Sequence, residues 1–159
     1  MSSKKIASLI KKLIKISGKA NVITKSWDKE AYEKGWRYGS GNAFAVTRPG
    51  NLLELWKILK ACNKDGVIII MQAANTGLTG GSTPYGNDYD RPVVIINTMR
   101  IDDIHLIDNG KQIIGLAGST LYSLERKLKK YNREPHSVIG STSIGASIIG
   151  GVCNNSGGS

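Results

Sequence analysis

The sequence predicts an α+β domain, and three observations carry that expectation. Residues 43–71, "AFAVTRPGNLLELWKILKACNKDGVIIIM", read as strand, helix and strand in succession. Residues 104–117, "IHLIDNGKQIIGLA", read as an antiparallel hairpin turning at Asp108, Asn109 and Gly110, because Asn-Gly supplies the positive φ angles of a tight turn. The chain has 159 residues and 40% hydrophobic content, enough for one domain with a core and too short for two full ones.

Taken in order, the first element is basic. Ile6, Leu9, Ile10, Leu13 and Ile14 recur at helical spacing, Lys4, Lys5, Lys11, Lys12 and Lys15 occupy most of the remaining surface, and Gly18 is placed to stop the helix. Residues 1–26 are therefore expected to form a basic amphipathic helix and its connection, followed by an incomplete domain over 27–159. Seven lysines and no acid fall in residues 1–27 of a chain whose formal net charge is +10. One reading is a solvated face on a helix packed against the body of the protein. The other is attraction to an anionic membrane surface, to which each basic residue contributes about 1 kcal/mol. Lys11 and Lys12 interrupt the apolar run of a signal peptide, and no segment reaches the ~18 apolar residues of a membrane span. The arm lacks the arginines and interleaved aromatics of a nucleic-acid site, so no nucleic-acid partner is predicted. Cys62 and Cys153 are far apart without a CxxC pair, which predicts no metal site and a reduced intracellular protein.

Within 43–71, Pro49 and Gly50 break the strand over 43–47. Asn51 caps a helix with Glu54 three residues on, and Leu52, Leu55, Trp56 and Leu59 form the expected buried stripe. Asn63 to Gly66 end it. Val67 to Met71 are apolar at every position, as in a strand covered on both faces, so a βαβ unit with a parallel pair and a right-handed crossover is predicted. "PVVIIN", residues 92–97, is a further buried strand. After the hairpin, Leu121, Leu124, Leu128 and Tyr131 mark an amphipathic helix, capped by Ser119 or Thr120 and lysine-rich at its end. From Gly140 the chain runs "GSTSIGASIIGGVCNNSGGS". No regular element is expected there, and an ending inside a glycine-rich stretch reads as a truncated domain with exposed apolar surface and poor solubility.

The chemistry lies in two glycine-rich segments. "AANTGLTGGSTP", residues 73–84, begins at the carboxyl end of a parallel strand, where α/β sheets bind ligands. Glycine lets the main chain approach a ligand closely, and successive unpaired N–H groups make a concave nest for anionic oxygen. Asn75, Thr76, Ser82 and Thr83 add polar side chains, so a diphosphate fits. The loop has no GK[ST] and no G-x-G-x-x-G leading into a helix, which argues against nucleotide triphosphatase and dinucleotide fingerprints. A single such loop reads equally well as a long turn. The second segment, Gly140 to Gly151 with the asparagines and serines behind it, shifts the balance towards a long, flat dinucleotide.

"AANTGLTGGSTP" resembles the pyrophosphate loop of the flavoproteins related to vanillyl-alcohol oxidase and p-cresol methylhydroxylase, and "IGASIIGGVCNNSGGS" resembles their second FAD-binding segment. More narrowly, "RPGNLLELWKILKAC", "MQAANTGLTGGSTPYGNDYDRPVVIINTMRID", "TLYSLE" and "REPHSVIGSTSIGASIIGGVCNNSGGS" resemble, in this order, the amino-terminal part of the bacterial respiratory quinone-dependent D-lactate dehydrogenases. The resemblance covers the chain from about residue 27 onward and implies a partial FAD-binding domain of the p-cresol methylhydroxylase type, truncated at its carboxyl end.

It further implies an enzyme on the cytoplasmic side of the inner membrane, peripheral to it. Such an enzyme oxidises D-lactate to pyruvate by hydride transfer from C2 to flavin N5, and passes the electrons to quinone. By motif, Ala73, Ala74, Asn75, Thr76, Gly77, Gly81 and Ser82 would hold the diphosphate region of FAD, with Gly140, Ser147 and Gly157 contributing from the second segment. The catalytic acid/base residues and the substrate cap would lie outside these residues, so no catalytic residue is assigned and the piece alone is expected to be inactive.

Other residues have plainer readings. His136 and His105 are expected to be structural, Cys153 a small buried thiol, and Arg91 and Arg133 exposed charges. Asp88 and Asp90 sit in a turn-forming run. No His, Tyr or Cys falls between Gln72 and Pro84, so FAD is expected to bind non-covalently. Two alternatives remain open: an FAD-dependent dehydrogenase of another 2-hydroxy acid such as glycolate, and a non-catalytic basic fragment that coats anionic membrane.

Overall fold

Helix α1 (Ser3–Ser17) buries Leu9 and Leu13 completely and stops at Gly18, whose φ of 84° requires glycine. Its apolar row packs on helix α3 (Leu52–Asp65), and the two share a core with Val22, Ala45, Ile58, Cys62, Val67, Val94 and Ile96. The lysines face outward, so the packed-helix reading of the arm holds for its apolar side. This computed structural model describes residues 1–135 and 139–157. It divides into two units, Met1–Arg100 and Ile101–Ser159, each described by itself.

In the first unit, strands β1 (Val22–Ile23), β2 (Ala45–Thr47), β3 (Ile68–Gln72) and β4 (Val93–Asn97) form one sheet in the order β1-β2-β4-β3. β4 is parallel to both β2 and β3, with Val46 opposite Ile95 and Ile70 also opposite Ile95; β1 is antiparallel to β2. The predicted strand, helix and strand are all present. The two strands of that unit are not neighbours, however, because β4 lies between them. β4 is buried at every position, whereas β3 is an edge strand, half-buried over Ile68–Ile70 and exposed at Met71. The expectation that Val67–Met71 is covered on both faces is corrected accordingly.

Asn51 caps α3 as predicted: its Oδ1 accepts from the Glu54 N–H at 2.9 Å, while the Glu54 carboxylate reaches back to the Gly50 N–H at 2.8 Å. The buried stripe is different. Ile58 and Cys62 are fully buried and Leu55 and Leu59 pack against them, but Leu52 and Trp56 are 55% and 53% exposed. The helix presents the i, i+3, i+4, i+7 row that starts at Leu55, because that row faces α1 and the sheet. Helix α2 (Ser26–Glu33) is tied to the segment before β2 by a buried ion pair. Lys29 Nζ lies 2.8 Å from Glu33 Oε1 and also donates to the Ala43 carbonyl, and Glu33 accepts from the Ala43 N–H at 2.7 Å.

In the second unit, β5 (Ile104–Ile107) and β6 (Gln112–Gly115) form the predicted hairpin, with positive φ at Asp108, Asn109 and Gly110. Thr120, not Ser119, caps helix α4 (Leu121–Leu128): its Oγ1 accepts from the Ser123 N–H at 3.1 Å. Leu124, Leu128, Ile104 and Ile148 make the core. The carboxyl-terminal segment, expected to be irregular, contains a short helix α5 (Ile148–Cys153), with Ser147 as its cap. Mixed parallel and antiparallel strands with packed helices confirm the α+β class.

Candidate functional site

The chain leaves β3 at Gln72 and does not return to the sheet until Val93. Between them, the run from Ala73 to Ser82 is fixed mainly by side chains at its ends. Gln72, buried, donates from Nε2 to the carbonyls of Ser82 at 2.8 Å and Tyr32 at 2.9 Å, and its Oε1 accepts from Asn97 Nδ2 at 3.2 Å. Asn97 Nδ2 also holds the Ala73 carbonyl at 2.9 Å. Inside the loop, Ser82 Oγ donates to Asn75 Oδ1 at 2.8 Å, and Asn75 Nδ2 donates to the Lys34 carbonyl at 2.9 Å. Asn75 has a φ of 57°, a left-handed position that asparagine tolerates.

The middle of the loop is the reverse. None of the N–H groups from Ala74 to Ser82 donates to an acceptor among the described residues, and Gly77, Leu78, Thr79 and Gly81 are exposed. The glycines divide into two kinds. Gly80, with φ 75°, lies where a Cβ would come within 3.2 Å of the Tyr38 carbonyl oxygen, so the fold itself requires it. Gly77 has nothing within 4 Å of an added Cβ, Gly81 only Thr79 Oγ1 at 3.9 Å, and neither has a left-handed φ. The fold does not need glycine at either place. What the two provide is free approach to a row of unsatisfied donors.

The segment Glu33–Asn42 buttresses the far side of the same loop, a contribution that sequence reasoning missed. Gly41 bridges to Gly86, the Gly86 N–H donates to the Ser40 carbonyl at 2.8 Å, and Gly39 packs so tightly that a Cβ there would fall 2.2 Å from Thr83 Oγ1. The spacing Gly35, Gly39, Gly41 in "KGWRYGSG" was the available signal.

The three residues predicted from the second segment, Gly140, Ser147 and Gly157, lie in the other unit. Gly140 and Gly157 have open space at the Cβ position. Ser147 is buried and its Oγ accepts from the Gly150 N–H at 3.1 Å, so its hydroxyl already serves α5. The expected abundance of free donors is reduced here, because the segment bonds to itself and to its neighbours. Ile148 N–H donates to the Ser119 carbonyl, Ala146 N–H to Ser141, Gly151 N–H to Ser147 and Ser156 N–H to Gly151.

Cys153 is exposed, contrary to expectation, since it ends α5 on the side away from Ile148. His105 is exposed on β5, and His136 lies outside the described residues. Arg91 is paired with Asp90 at 3.2 Å, and Arg133 donates to the Asn109 carbonyl at 3.0 Å. Burial, aided by the Asp65 carboxylate, pushes the Cys62 thiol up to about 11.

A loop of open main-chain donors stands at the carboxyl end of a parallel strand, and comparison with known proteins gives the class of the chain. Residues 43–159 match the FAD binding domain family, and the chain belongs to that family. It is 61% identical over 153 residues to the quinone-dependent D-lactate dehydrogenase of Haemophilus influenzae, a match covering 96% of this chain and 27% of that protein. It is 57% identical over 152 residues to the Escherichia coli protein of the same name, again 96% of this chain and 27% of that one. The chain thus spans about a quarter of the length of these relatives. Among solved structures, p-cresol methylhydroxylase superposes with a TM-score of 0.77 at 17% identity, over 96% of this chain and 30% of that one, which establishes a shared fold. FAD is the cofactor of the family, and the open donors with Gly77 and Gly81 beside them fit its diphosphate.

Proposed function

We propose that this chain is the FAD-binding part of a respiratory quinone-dependent D-lactate dehydrogenase. The observation that carries the reading is the 61% identity to such an enzyme across nearly the whole chain, both glycine-rich segments included. FAD held by these residues would supply the two-electron acceptor for oxidation of D-lactate, with quinone as the onward acceptor.

The residues here bind and orient. The N–H groups of Ala74, Asn75, Thr76, Gly77, Gly81 and Ser82 would hold the diphosphate region of FAD, and Ala73 anchors the loop to Asn97 through its carbonyl. Asn75 and Ser82 act chiefly by shaping the loop, since their side chains are bonded to each other. Gly140, Ser147 and Gly157 contribute from the second segment. Attachment is non-covalent, because the loop carries no His, Tyr or Cys. No helix among the described residues is long and apolar enough to cross a membrane, and the reading places the enzyme on the cytoplasmic face of the inner membrane, peripherally, with no role for nucleic acid.

Titration of the chain with FAD tests the cofactor assignment: quenching of flavin fluorescence is expected, with all flavin released into the supernatant after acid precipitation. A substrate test uses the H. influenzae relative with its matching segment replaced by this chain. Quinone reduction with D-lactate in preference to glycolate is expected, and preference for glycolate would move the assignment to another 2-hydroxy acid. Residues 1–159 alone are expected to bind FAD weakly and to show no turnover.

A further inference from the structure

Two amide side chains end adjacent strands side by side. Gln72, last in β3, stands opposite Asn97, last in β4, and they are only 2% and 5% exposed. The rest of β4 is buried valine and isoleucine, so a polar side chain at its end is costly unless its hydrogens find partners. All of them do. Gln72 Nε2 donates to the Tyr32 and Ser82 carbonyls. Asn97 Nδ2 donates to Gln72 Oε1 at 3.2 Å and to the Ala73 carbonyl at 2.9 Å, while Asn97 Oδ1 accepts from the Met99 N–H at 3.2 Å. Turning either amide over would set oxygen against carbonyl oxygen, so both orientations are fixed. These contacts set the direction of one peptide group. In a trans peptide the carbonyl and the following N–H point opposite ways, and the Ala73–Ala74 peptide is trans. Asn97 draws the Ala73 carbonyl to the strand ends. The Ala74 N–H is thereby turned away from them, and it donates to no acceptor among the described residues.

We infer that Asn97 is a positioning residue for the cofactor: by holding the Ala73 carbonyl it aims the Ala74 N–H, first of the free donors, at a phosphate oxygen of FAD. The inference rests on the flavin-binding reading proposed above. Without that hold the peptide can turn over, and a turned peptide presents a carbonyl oxygen to the phosphate in place of a donor. This role is separate from closing the base of the loop, which falls to Gln72 and Ser82. Asn97 touches only the first residue of the loop, and what it controls there is direction.

The test is Asn97→Asp, which keeps the shape of the side chain and replaces both hydrogens with an acceptor oxygen. Gln72 stays held by Tyr32 and Ser82, so the Ala73–Ala74 peptide is the group free to respond. Its N–H should turn in to the introduced carboxylate and its carbonyl out. At about pH 7.5, FAD affinity read from flavin fluorescence should fall about 10- to 100-fold, as for hydrogen bonds lost to a charged group. Burial raises the introduced carboxyl above the usual carboxylate range. Protonation as pH falls towards about 5 restores a donor to the Ala73 carbonyl, so the ratio of wild-type to variant affinity should shrink. Without FAD, solvent-exchange NMR should find the Ala74 N–H exchanging fast in wild type and slowly in the variant. A folded variant with wild-type affinity, a ratio independent of pH, or unaltered Ala74 exchange overturns the inference. Should the variant not fold, wild type decides: ADP, which carries the diphosphate, should move the Ala74 amide proton downfield, and an unmoved resonance at saturating ADP overturns the inference. Wild type that binds neither FAD nor ADP overturns the flavin reading and this inference with it, whereas binding that ignores Asn97 overturns the inference alone.

Discussion

Gln72 Nε2 lies 2.8 Å from the carbonyl oxygen of Ser82, ten residues further along the chain. One buried amide thus closes the base of the loop whose middle is left open, and the same nitrogen holds Tyr32 in helix α2. Replacing Gln72 with Leu leaves those two carbonyls and the Asn97 amide short of partners, at a cost of about 1–3 kcal/mol. Chymotryptic cleavage after the exposed Leu78 should speed up relative to cleavage elsewhere, and flavin affinity should fall. An unchanged digestion pattern in a folded variant would remove Gln72 from this role.

Gly77 and Gly80 separate the demands of ligand and fold. Gly77→Ala should leave stability within about 0.5 kcal/mol of wild type, as for a surface change that disturbs nothing, yet weaken FAD binding at least about tenfold if a phosphate oxygen approaches there. Gly80→Ala has to place a side chain at φ 75° beside the Tyr38 carbonyl and should lower stability by roughly 1–2 kcal/mol. Thermal melts with and without FAD distinguish the two; equal loss of stability in both variants would contradict the division.

Lys29 and Glu33 form an ion pair that reaches both the N–H and the carbonyl of Ala43. Lys29→Met strands a buried carboxylate, and urea unfolding should report a loss of about 3–5 kcal/mol. A loss below about 1 kcal/mol, the usual worth of an exposed pair, would mean that water reaches Glu33.

Cys62 and Cys153 should differ in reactivity. At mildly alkaline pH, iodoacetamide should label the exposed Cys153 and spare Cys62, which is buried and held protonated up to about 11. The sign of the linkage follows from a thiol whose folded value is raised from 9.0. The unfolded chain loses its proton first, so stability is intact below pH 9 and declines as pH rises towards 11. Cys62→Ala should flatten that decline; an identical decline in the variant would assign it to other groups.

Local features were legible in the sequence, and pairings across the fold were not. The Asn51 cap, the Asp108–Gly110 turn and the Gly18 stop are written within a few residues, and each stands where it was expected. The place of β4 between β2 and β3 is a non-local choice that no window around residues 43–71 contains. The misreading of Leu52 and Trp56 has a similar cause, since two overlapping apolar rows run along that helix and only the position of α1 selects one. Helix α5 was hidden by Gly150 and Gly151, which disfavour helix, although Ser147 three residues before Gly150 carried the cap. In the candidate site, the glycine-rich loop was evident from its letters. Its support by Gln72 and by Glu33–Asn42 was not, because those contacts join residues ten to forty-one positions apart.

Because β2 and β3 each pair in parallel only with β4, no parallel ladder of this sheet can begin on a growing chain until Val93 and the residues after it have left the ribosome. The antiparallel contact of β1 with β2 and the helices α1 and α3 have no such delay and can assemble first. The stretch from Ala73 to Pro92 then emerges as slack, drawn into shape when its two flanking strands zip together. During synthesis the open loop over 73–82 is therefore among the last parts of this unit to take shape, after the local elements on either side of it.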